Sequence, residues 1–429
     1  MRTSAHSGTR WYVIACGLLL AQALVCATDV RILAQSKSWL TVYYPSWAMR
    51  PVGTSQYALP PWDIDWRGIT HLVHFHVGVD AKTPPYFKAV TSRNDSIDIE
   101  FNGIANPGDG RWLRWQDSLI TCAHRHKVKV VLSLDAVEPQ NLNIVAADSG
   151  KAQLLVNSMV GYCERKGYDG VEIDWEGKGI VREDVSRLMR IFRRRLDLRK
   201  PAGLLLVSPG SGQNRLYDPS LDALIDQYNL QMYDYAYAWG GFLKRANVTW
   251  YISPLHRGDT PFGMEGQAYE TRGPLQWIAD GHSPSKIGVG IPTFGYIMKN
   301  QNKLFQPMKS DGDYGYATYG ECLALMKNGG IEGWDSDRLE PFISGVAVRT
   351  EGNQWWKASG VRAGQQFFAT YENPRSIREK IEWVKNNRLG GVMVYDLTMS
   401  WDPAGTWGGK NPLLYAIASD LFGVPTASQ

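Results

Sequence analysis

Short runs of β-branched and aromatic residues recur along this chain, and a stretch with helical spacing of apolar residues follows most of them. Runs of this length and composition are typical of strands, whereas apolar residues three and four positions apart predict a helix. The predicted strands cover residues 39–44, 69–77, 128–134, 170–175, 204–208, 228–233, 287–292 and 391–395.

The helical patterns include residues 152–166, 183–198 and 375–387, and the last begins after Asn373-Pro374, a good helix start. Alternation of strands with helices indicates a mainly parallel sheet. Eight predicted strands in a chain of 429 residues favour a closed barrel over an open sheet. The predicted fold class is therefore α/β, a (β/α)8 TIM barrel spanning residues 38–425.

The connection between the seventh and eighth predicted strands is about a hundred residues long, too long for one helix and two loops. It contains aromatic and alternating segments at residues 342–349 and 365–370. We therefore expect a small α+β insertion at residues 297–370, between strands seven and eight of the barrel.

A file of three acids is the most informative local pattern. Glu172, Asp174 and Glu176 alternate with apolar residues, so they share one strand face at a spacing of about 6.5–7 Å. If that face is buried, each carboxyl group must be paired, protonated or bound to a cation. Proton-transfer chemistry, a divalent-cation site and an ion-paired strand end are the alternatives, although no histidine joins the file.

Function in such a barrel sits at the carboxyl ends of the strands. That rule places Glu176 at the mouth, together with Tyr233, Asp234 and Tyr395, which end two other predicted strands. Asp169 has the opposite parity to the three acids, so we expect a structural role for it where the chain begins the strand.

The N-terminus resembles a secretory signal peptide over residues 1–27, with Arg2 and Arg10 before an apolar stretch; a retained membrane anchor is the alternative. Cys122, Cys163 and Cys322 are odd in number and lack metal-ligand spacing, so at most one disulfide is possible. The net charge of +4 is too small to indicate binding to nucleic acid or an anionic membrane.

Residues 169–176 (DGVEIDWE) resemble the DxxDxDxE signature of family 18 glycoside hydrolases, the chitinase-like family. Weaker matches follow at residues 232–234 (MYD), 286–292 (KIGVGIP), 371–376 (YENPRS) and 389–394 (LGGVMV). The resemblance covers roughly residues 39–422. It implies a TIM barrel that hydrolyses β-1,4-linked N-acetylglucosamine polymers by substrate-assisted retention.

The resemblance also implies the roles of individual residues. Glu176 matches the general acid, and Asp174 would hold the acetamido group of the substrate while that group attacks the anomeric carbon. Tyr233 would hydrogen-bond the same acetamido group, and Asp234 would help to position it. Glu172 belongs to the same catalytic cluster, in which neighbouring negative charges raise at least one pKa.

The chain departs from the family pattern at several positions. Glu172 stands where the family usually has Asp, and Tyr395 stands where a Trp usually forms the floor under the bound sugar. Tyr296 aligns with a common Arg, and Ser133-Leu-Asp-Ala136 replaces a Ser-x-Gly-Gly loop. These departures concern substrate preference more than reaction type.

Trp239, Tyr44 and Phe75 are further candidates for contact with sugar, although core packing or loop anchoring explains them about as well. The sequence thus predicts a secreted or extracytoplasmic glycosidase that acts on N-acetylglucosamine-containing chains. We expect it to be a monomer and to need no cofactor or metal. The alternatives are the same chemistry on N-glycan cores or peptidoglycan, and a non-catalytic chitin-binding lectin. Once the signal peptide is removed, we expect the protein not to bind a membrane.

Overall fold

The structure is a computed structural model. It describes residues 38–424, except 50–51, 53–57, 93–94, 98–110, 136–138, 211, 236–247, 257–272, 309–313 and 351–359. The predicted signal peptide, residues 1–27, lies outside the described residues.

The strands of the described chain are β1 (Trp39–Pro45), β2 (His71–Val79), β3 (Phe87–Ser92), β4 (Asp95–Ile97), β5 (Lys129–Asp135), β6 (Gly170–Asp174), β7 (Leu204–Val207), β8 (Gln227–Leu230), β9 (Ile287–Pro292), β10 (Phe294–Lys299), β11 (Tyr314–Thr318), β12 (Gly330–Asp335), β13 (Glu340–Val346), β14 (Gln366–Thr370) and β15 (Gly391–Tyr395). The α-helices are α1 (Arg111–Arg125), α2 (Pro139–Ala147), α3 (Ser149–Lys166), α4 (Arg182–Leu196), α5 (Pro274–Ala279), α6 (Tyr319–Ala324), α7 (Pro374–Asn386) and α8 (Pro412–Phe422).

Eight parallel strands close into a barrel. Their order is β1-β15-β9-β8-β7-β6-β5-β2, and β2 pairs back onto β1 with Thr41 opposite His71. The prediction of a (β/α)8 barrel is confirmed. The eight predicted strands coincide with these eight within a few residues at each end. The antiparallel hairpin β3–β4, which extends the sheet from β2, was not predicted.

The helices pack an apolar stripe against the outside of the barrel. In α4, Val185, Leu188 and Phe192 are buried, whereas basic residues occupy the opposite face and the last turn. Helix α3 begins where the side chain of Asp148 accepts two backbone N–H bonds, and it ends at Gly167 with φ 88°. Local sequence signals therefore set these helix boundaries, and burial of the apolar stripe orients the helices.

A second sheet lies between β9 and β15 in the chain. It has the order β11-β10-β14-β13-β12, with antiparallel neighbours, and α6 follows β11. A buried ion cluster joins it to the barrel's outer layer, because Lys380 of α7 contacts Glu340 at 2.5 Å and Glu372 at 2.6 Å. The assignment of residues 297–370 as a distinct subdomain stays a proposal.

The connection between β1 and β2 differs from the helical connections elsewhere in the outer layer of the barrel. The described part of this connection contains only two short 3-10 turns, Ser46–Ala48 and Pro61–Asp63, and no α-helix. Across the described chain, no helix has both the length and the apolar character needed to span a bilayer.

Candidate active site

The acids Glu172 and Asp174 of β6 lie on the inner side of the barrel wall, and Glu176 follows two residues later. Glu172 is fully buried and Asp174 is half-buried, while Glu176, just beyond the end of the strand, is accessible to solvent. Val171 and Ile173, between them, are buried in the core outside the barrel. The predicted alternation therefore separates an apolar outer face from an acidic inner face.

A chain of hydroxyl groups holds the deepest acid. The Ser208 hydroxyl donates to Glu172 Oε1 at 2.6 Å, and because this uses its one proton, the Tyr43 hydroxyl is the donor in the hydrogen bond between Tyr43 and Ser208. Burial raises the pKa of Glu172 to about 7, although nearby hydroxyl groups act in the opposite direction. Glu172 Oε2 has no hydrogen-bond partner among the described residues, which fits a carboxyl group that carries a proton near neutral pH.

Asp174 is fixed by an amide. The Gln231 side chain donates from Nε2 to Asp174 Oδ1 and to the Ser208 carbonyl oxygen, each at 3.1 Å. This contact comes from the residue that follows β8, the strand that ends near the predicted Tyr233 and Asp234. Gln231 therefore sets the orientation of the Asp174 carboxyl group from the end of a strand two places away in the barrel.

Glu176 has an unusual environment for an accessible acid. The residue as a whole is exposed, yet burial of its carboxyl group against the protein raises its pKa to about 7, with a further contribution from the negative charge of Asp234. Gly210 lies directly against the carboxyl group, since a Cβ at position 210 would stand 2.6 Å from Glu176 Oε1. An acid with this pKa is able both to donate and to accept a proton near pH 7.

One short segment, of which residues 208–210 and 212–213 are described, lies beside Glu172 and Glu176 and shares a hydrogen-bond donor with Asp174. Ser208 contacts Glu172, and its carbonyl oxygen shares the Gln231 amide with Asp174. Gln213 then holds the segment against the end of β6, because its Oε1 accepts from the Gly210 N–H and its Nε2 donates to the Trp175 carbonyl oxygen, both at 3.2 Å. We call residues 208–210 and 212–213 the acid-positioning segment.

Asp234 receives hydrogen bonds from tyrosines. Tyr296 of β10 donates to its Oδ1 at 2.7 Å, and Tyr316 of β11 also bonds it. Burial raises the pKa of Asp234 to about 6, and these two hydroxyl groups limit the rise. No cation forms an ion pair with Asp234 in the part of the chain that the structure describes, so the second sheet supplies neutral donors where the family pattern commonly has an Arg.

Aromatic rings line the inner side of the mouth beside the acids. Tyr395 stacks on Tyr233, with 5.9 Å between centroids and 28° between planes, and it meets Phe75 edge to face at 5.8 Å. Tyr43 lies 5.6 Å from Tyr395 and 5.7 Å from Phe75. Of the predicted sugar-contacting residues, Tyr395 and Phe75 are thus placed together with Tyr233, and they form an apolar surface suited to a sugar ring.

Tyr44 requires a correction. Its ring is fully buried in the core outside the barrel, and its hydroxyl group donates to the Leu59 carbonyl oxygen at 2.5 Å. Successive residues of a strand point to opposite faces, so its neighbour Tyr43 is the one that reaches the acids. The structure therefore does not bring Tyr44 to the site and replaces it by Tyr43.

The remaining predicted residues lie elsewhere. Asp169 is at the start of β6, outside the mouth, where it accepts from the Val130 N–H at 2.8 Å and pairs with Lys129 and His124, each at 2.9 Å. Trp239 lies outside the described residues. Among the described residues, no group of three or more His, Cys, Asp or Glu side chains is arranged to hold a metal ion.

Sequence reasoning missed several residues of the site: Tyr43, Ser208, Gly210, Gln231 and Gln213. All except Tyr43 lie at or beyond the ends of β7 and β8. The rule that strand ends form the mouth applies to these positions too, but small or amide residues there carry no chemical signal of their own.

An acid that titrates near neutrality, a second carboxylate beside it and an aromatic surface at the mouth of a (β/α)8 barrel are the parts with which glycoside hydrolases cleave O-glycosyl bonds. The fold and the site define this class of enzyme. Residues 40–400 match the profile of Glycosyl hydrolases family 18, and the chain belongs to that family.

Known proteins agree with this assignment. The chain is similar to putative chitinase 1 of Margaritifera margaritifera, with 26% identity over 405 residues that cover 88% of this chain and 75% of that protein. Its fold matches catalytic domain 2 of the Ostrinia furnacalis Group II chitinase, with a TM-score of 0.70, 20% identity, and coverage of 91% of this chain and 98% of that one.

A further solved structure is that of human YKL-39, described as a pseudo-chitinase with retained chitooligosaccharide binding properties. The TM-score is 0.68 at 18% identity, covering 90% of this chain and 99% of that one. Both structural matches establish the barrel fold.

Proposed function

We propose that this protein is a secreted retaining glycoside hydrolase that cleaves β-1,4 bonds of N-acetylglucosamine polymers, with the acetamido group of the substrate as the nucleophile. The observation that carries the proposal is the file of acids on β6, in which one accessible member has a pKa of about 7. The chitinase names of the relatives support a chitin-type substrate.

Glu176 is the proposed general acid. At mildly acidic pH its carboxyl group is protonated, because its pKa is raised by the surrounding protein and by Asp234. It gives this proton to the glycosidic oxygen as the bond from that oxygen to the anomeric carbon breaks. The resulting Glu176 carboxylate then accepts a proton from the water that completes hydrolysis.

Asp174 and Tyr233 are the proposed partners of the acetamido group. The acetamido oxygen bonds to the anomeric carbon as the leaving group departs, which produces a positively charged oxazolinium ring. The Asp174 carboxylate accepts the acetamido N–H and stabilises that charge, while Gln231 keeps it oriented. Water then attacks the anomeric carbon and opens the ring, so two inversions give net retention.

The file of acids also supports different protonation states for Glu172 and Asp174. Glu172, fully buried and with a pKa of about 7, carries the proton that lets Asp174 stay ionised at a short distance along the strand. Two neighbouring carboxylates on one strand face repel, so protonation of the buried member lowers the cost of charge on the other. Asp234, at the mouth of the barrel, helps to position the acetamido group.

A sugar-binding protein without catalysis is the second candidate. It is favoured by the neutral tyrosine environment of Asp234 and by the likeness in fold to YKL-39. The presence of Glu176 with a titratable carboxyl group favours the enzyme. N-glycan cores and peptidoglycan remain alternative substrates for the same chemistry.

The decisive experiment compares hydrolysis of soluble chito-oligosaccharides by the wild type, Glu176→Gln and Glu183→Gln. Glu183 is an exposed glutamate in the first turn of α4 and serves as the matched control. We expect Glu176→Gln to lower kcat by about 10²- to 10⁴-fold and Glu183→Gln to leave it unchanged. Negligible hydrolysis by all three with retained sugar binding would establish the lectin instead.

Two further measurements test the finer parts of the proposal. An oxazoline-mimicking thiazoline inhibitor should compete with substrate, and absence of inhibition in an active enzyme would contradict acetamido participation. Rates on chitin oligomers, a high-mannose glycopeptide and peptidoglycan should rank the chitin oligomers first. A higher rate on either of the others would reassign the substrate.

A further inference from the structure

A groove on the outside of the barrel lies apart from the acids of β6. Its volume is about 520 Å³, and it is enclosed by the segment 62–67, the C-terminal end of α1 and the loop and helix that follow β15. A second groove of about 830 Å³ adjoins it and shares the lining residues Lys410 and Tyr415. We call the two together the outer groove. It occupies the side of the barrel where β1 and β2 are joined by 3-10 turns.

Aromatic rings line the outer groove along its length. Trp62 is 56% exposed, and its ring is held edge to face against Trp115 at 5.0 Å. Farther along lie Tyr415 and Trp407, both half-buried. An exposed tryptophan that is braced by a neighbouring ring loses little conformational freedom when a ligand stacks on it, so it offers a ready platform for a flat apolar face.

The polar groups of the groove are fixed as well. Arg67 Nε donates to both carboxylate oxygens of Asp65, at 2.9 and 3.0 Å, and its guanidinium group lies 5.4 Å from the centroid of the Tyr415 ring. The planar donors and acceptors of this pair are therefore held in place beside an aromatic ring. Such a pair of fixed polar groups next to rings suits the hydroxyl and amide groups of a sugar.

The charge of the groove argues against a polyanion. In the smaller part, the two acids Asp63 and Asp65 offset all but one of the positive charges of Arg67, Arg125 and Lys410, and Arg67 is ion-paired with Asp65, so no strongly basic surface is left for a polyanion. A ligand without net charge is therefore favoured over nucleic acid or an acidic polysaccharide. The volume is within the range of pockets that hold a small molecule or a few sugar units.

We propose that the outer groove is a second, non-catalytic carbohydrate site that binds a chain of N-acetylglucosamine units. The identity of the polymer rests on the proposed function of the β6 site. A neutral sugar chain presents flat C–H faces to Trp62 and Tyr415 and hydroxyl groups to the Arg67–Asp65 pair. A site of this kind would hold the enzyme on an insoluble polymer and leave the cleavage of short soluble chains unaffected.

The test uses Trp62→Ala, Trp62→Phe and Ile331→Ala in the full chain. Ile331 is 75% exposed on the second sheet, so Ile331→Ala is a control for loss of an exposed apolar side chain. We expect Trp62→Ala to lower the ratio of the rate on insoluble chitin to the rate on a soluble chitotriose substrate by about threefold or more. Trp62→Phe should recover part of that loss, and Ile331→Ala should keep the wild-type ratio.

Adsorption to insoluble chitin is measured in parallel in a Glu176→Gln background, where it does not depend on hydrolysis. Weaker adsorption by the Trp62→Ala double variant supports the outer groove even if the wild type proves inactive. Equal adsorption and equal rate ratios for Trp62→Ala and Ile331→Ala would overturn the proposal of a carbohydrate site in the outer groove. The proposed function of the β6 acids would stay intact. Loss of the soluble rate in Trp62→Ala would also overturn the proposal of a carbohydrate site in the outer groove.

Discussion

Replacing Gly210 by alanine places a methyl group against the carboxyl group of Glu176. The Cβ of the new residue would stand 2.6 Å from Glu176 Oε1, whereas real Cβ atoms essentially never approach another heavy atom within 3.0 Å. Gly210 lacks a left-handed φ, so its backbone accepts alanine. Because the backbone is tied to Gln213 and Gln231, the freely moving partner is the Glu176 carboxyl group.

The displacement sets the size of the effect. Relieving the contact from 2.6 Å to 3.0 Å moves Oε1 by at least 0.4 Å. A misplacement of about 1 Å costs about 10²-fold in rate, so we expect kcat to fall by about 5- to 10-fold. The end of a glutamate side chain moves at little cost in packing, and the free energy of unfolding should therefore change by less than about 1 kcal/mol.

Gly212, in the same segment, provides the matched control. Nothing lies within 4 Å of a Cβ at that position, and its φ is also outside the left-handed region. Steady-state kinetics on a soluble chito-oligosaccharide and thermal unfolding of Gly210→Ala and Gly212→Ala should show a lower kcat for the first variant alone, with similar Tm for both. Equal kcat for the two variants would refute the idea that Gly210 positions the acid, and a large loss of Tm in Gly210→Ala would point to a structural role.

Three other changes test the surroundings of the site. Asp234→Asn removes a negative charge that raises the pKa of Glu176, so the alkaline limb of the kcat–pH profile should move to lower pH; an unmoved limb would separate Asp234 from the acid. Glu172→Asp restores the residue usual in the family but withdraws the carboxyl group by one methylene from its serine donor, so kcat should fall, and a rise would contradict this geometry. Lys380→Met leaves two buried glutamates without a cation and should lower the free energy of unfolding, measured by chemical denaturation, by about 3 kcal/mol. The control Lys385→Met, at an exposed position of the same helix, should change that free energy little.

Much of the fold was predictable from local pattern. The eight barrel strands are short apolar runs, and their alternation with helices selects a parallel barrel, because parallel strands need crossover connections. The acid file was predictable for a similar reason. Glu172 and Asp174 lie on one face of β6 through the period of two alone, and Glu176, just beyond the strand, continues the same alternation in the sequence.

Which residues of β1 face the inside of the barrel was not predictable in the same way. Tyr43 and Tyr44 are adjacent, aromatic and both fully buried, since a barrel strand is covered on both faces. Hydrophobicity therefore does not distinguish the inner residue from the outer one. Only the closed barrel, in which the Tyr43 hydroxyl bonds to Ser208 and the Tyr43 ring lies beside Tyr395, shows that Tyr43 points toward the acids.

The sequence by itself determined the order of strands and helices and the face on which the acids of β6 lie, because both depend on residues within one element. The tertiary structure alone decided how those acids are tuned. Ser208 reaches Glu172 across 36 positions and Gln231 reaches Asp174 across 57, while Gly210 makes room for Glu176. The pKa values depend on burial and on charges brought close by barrel closure, and such contacts leave no periodic trace in the chain.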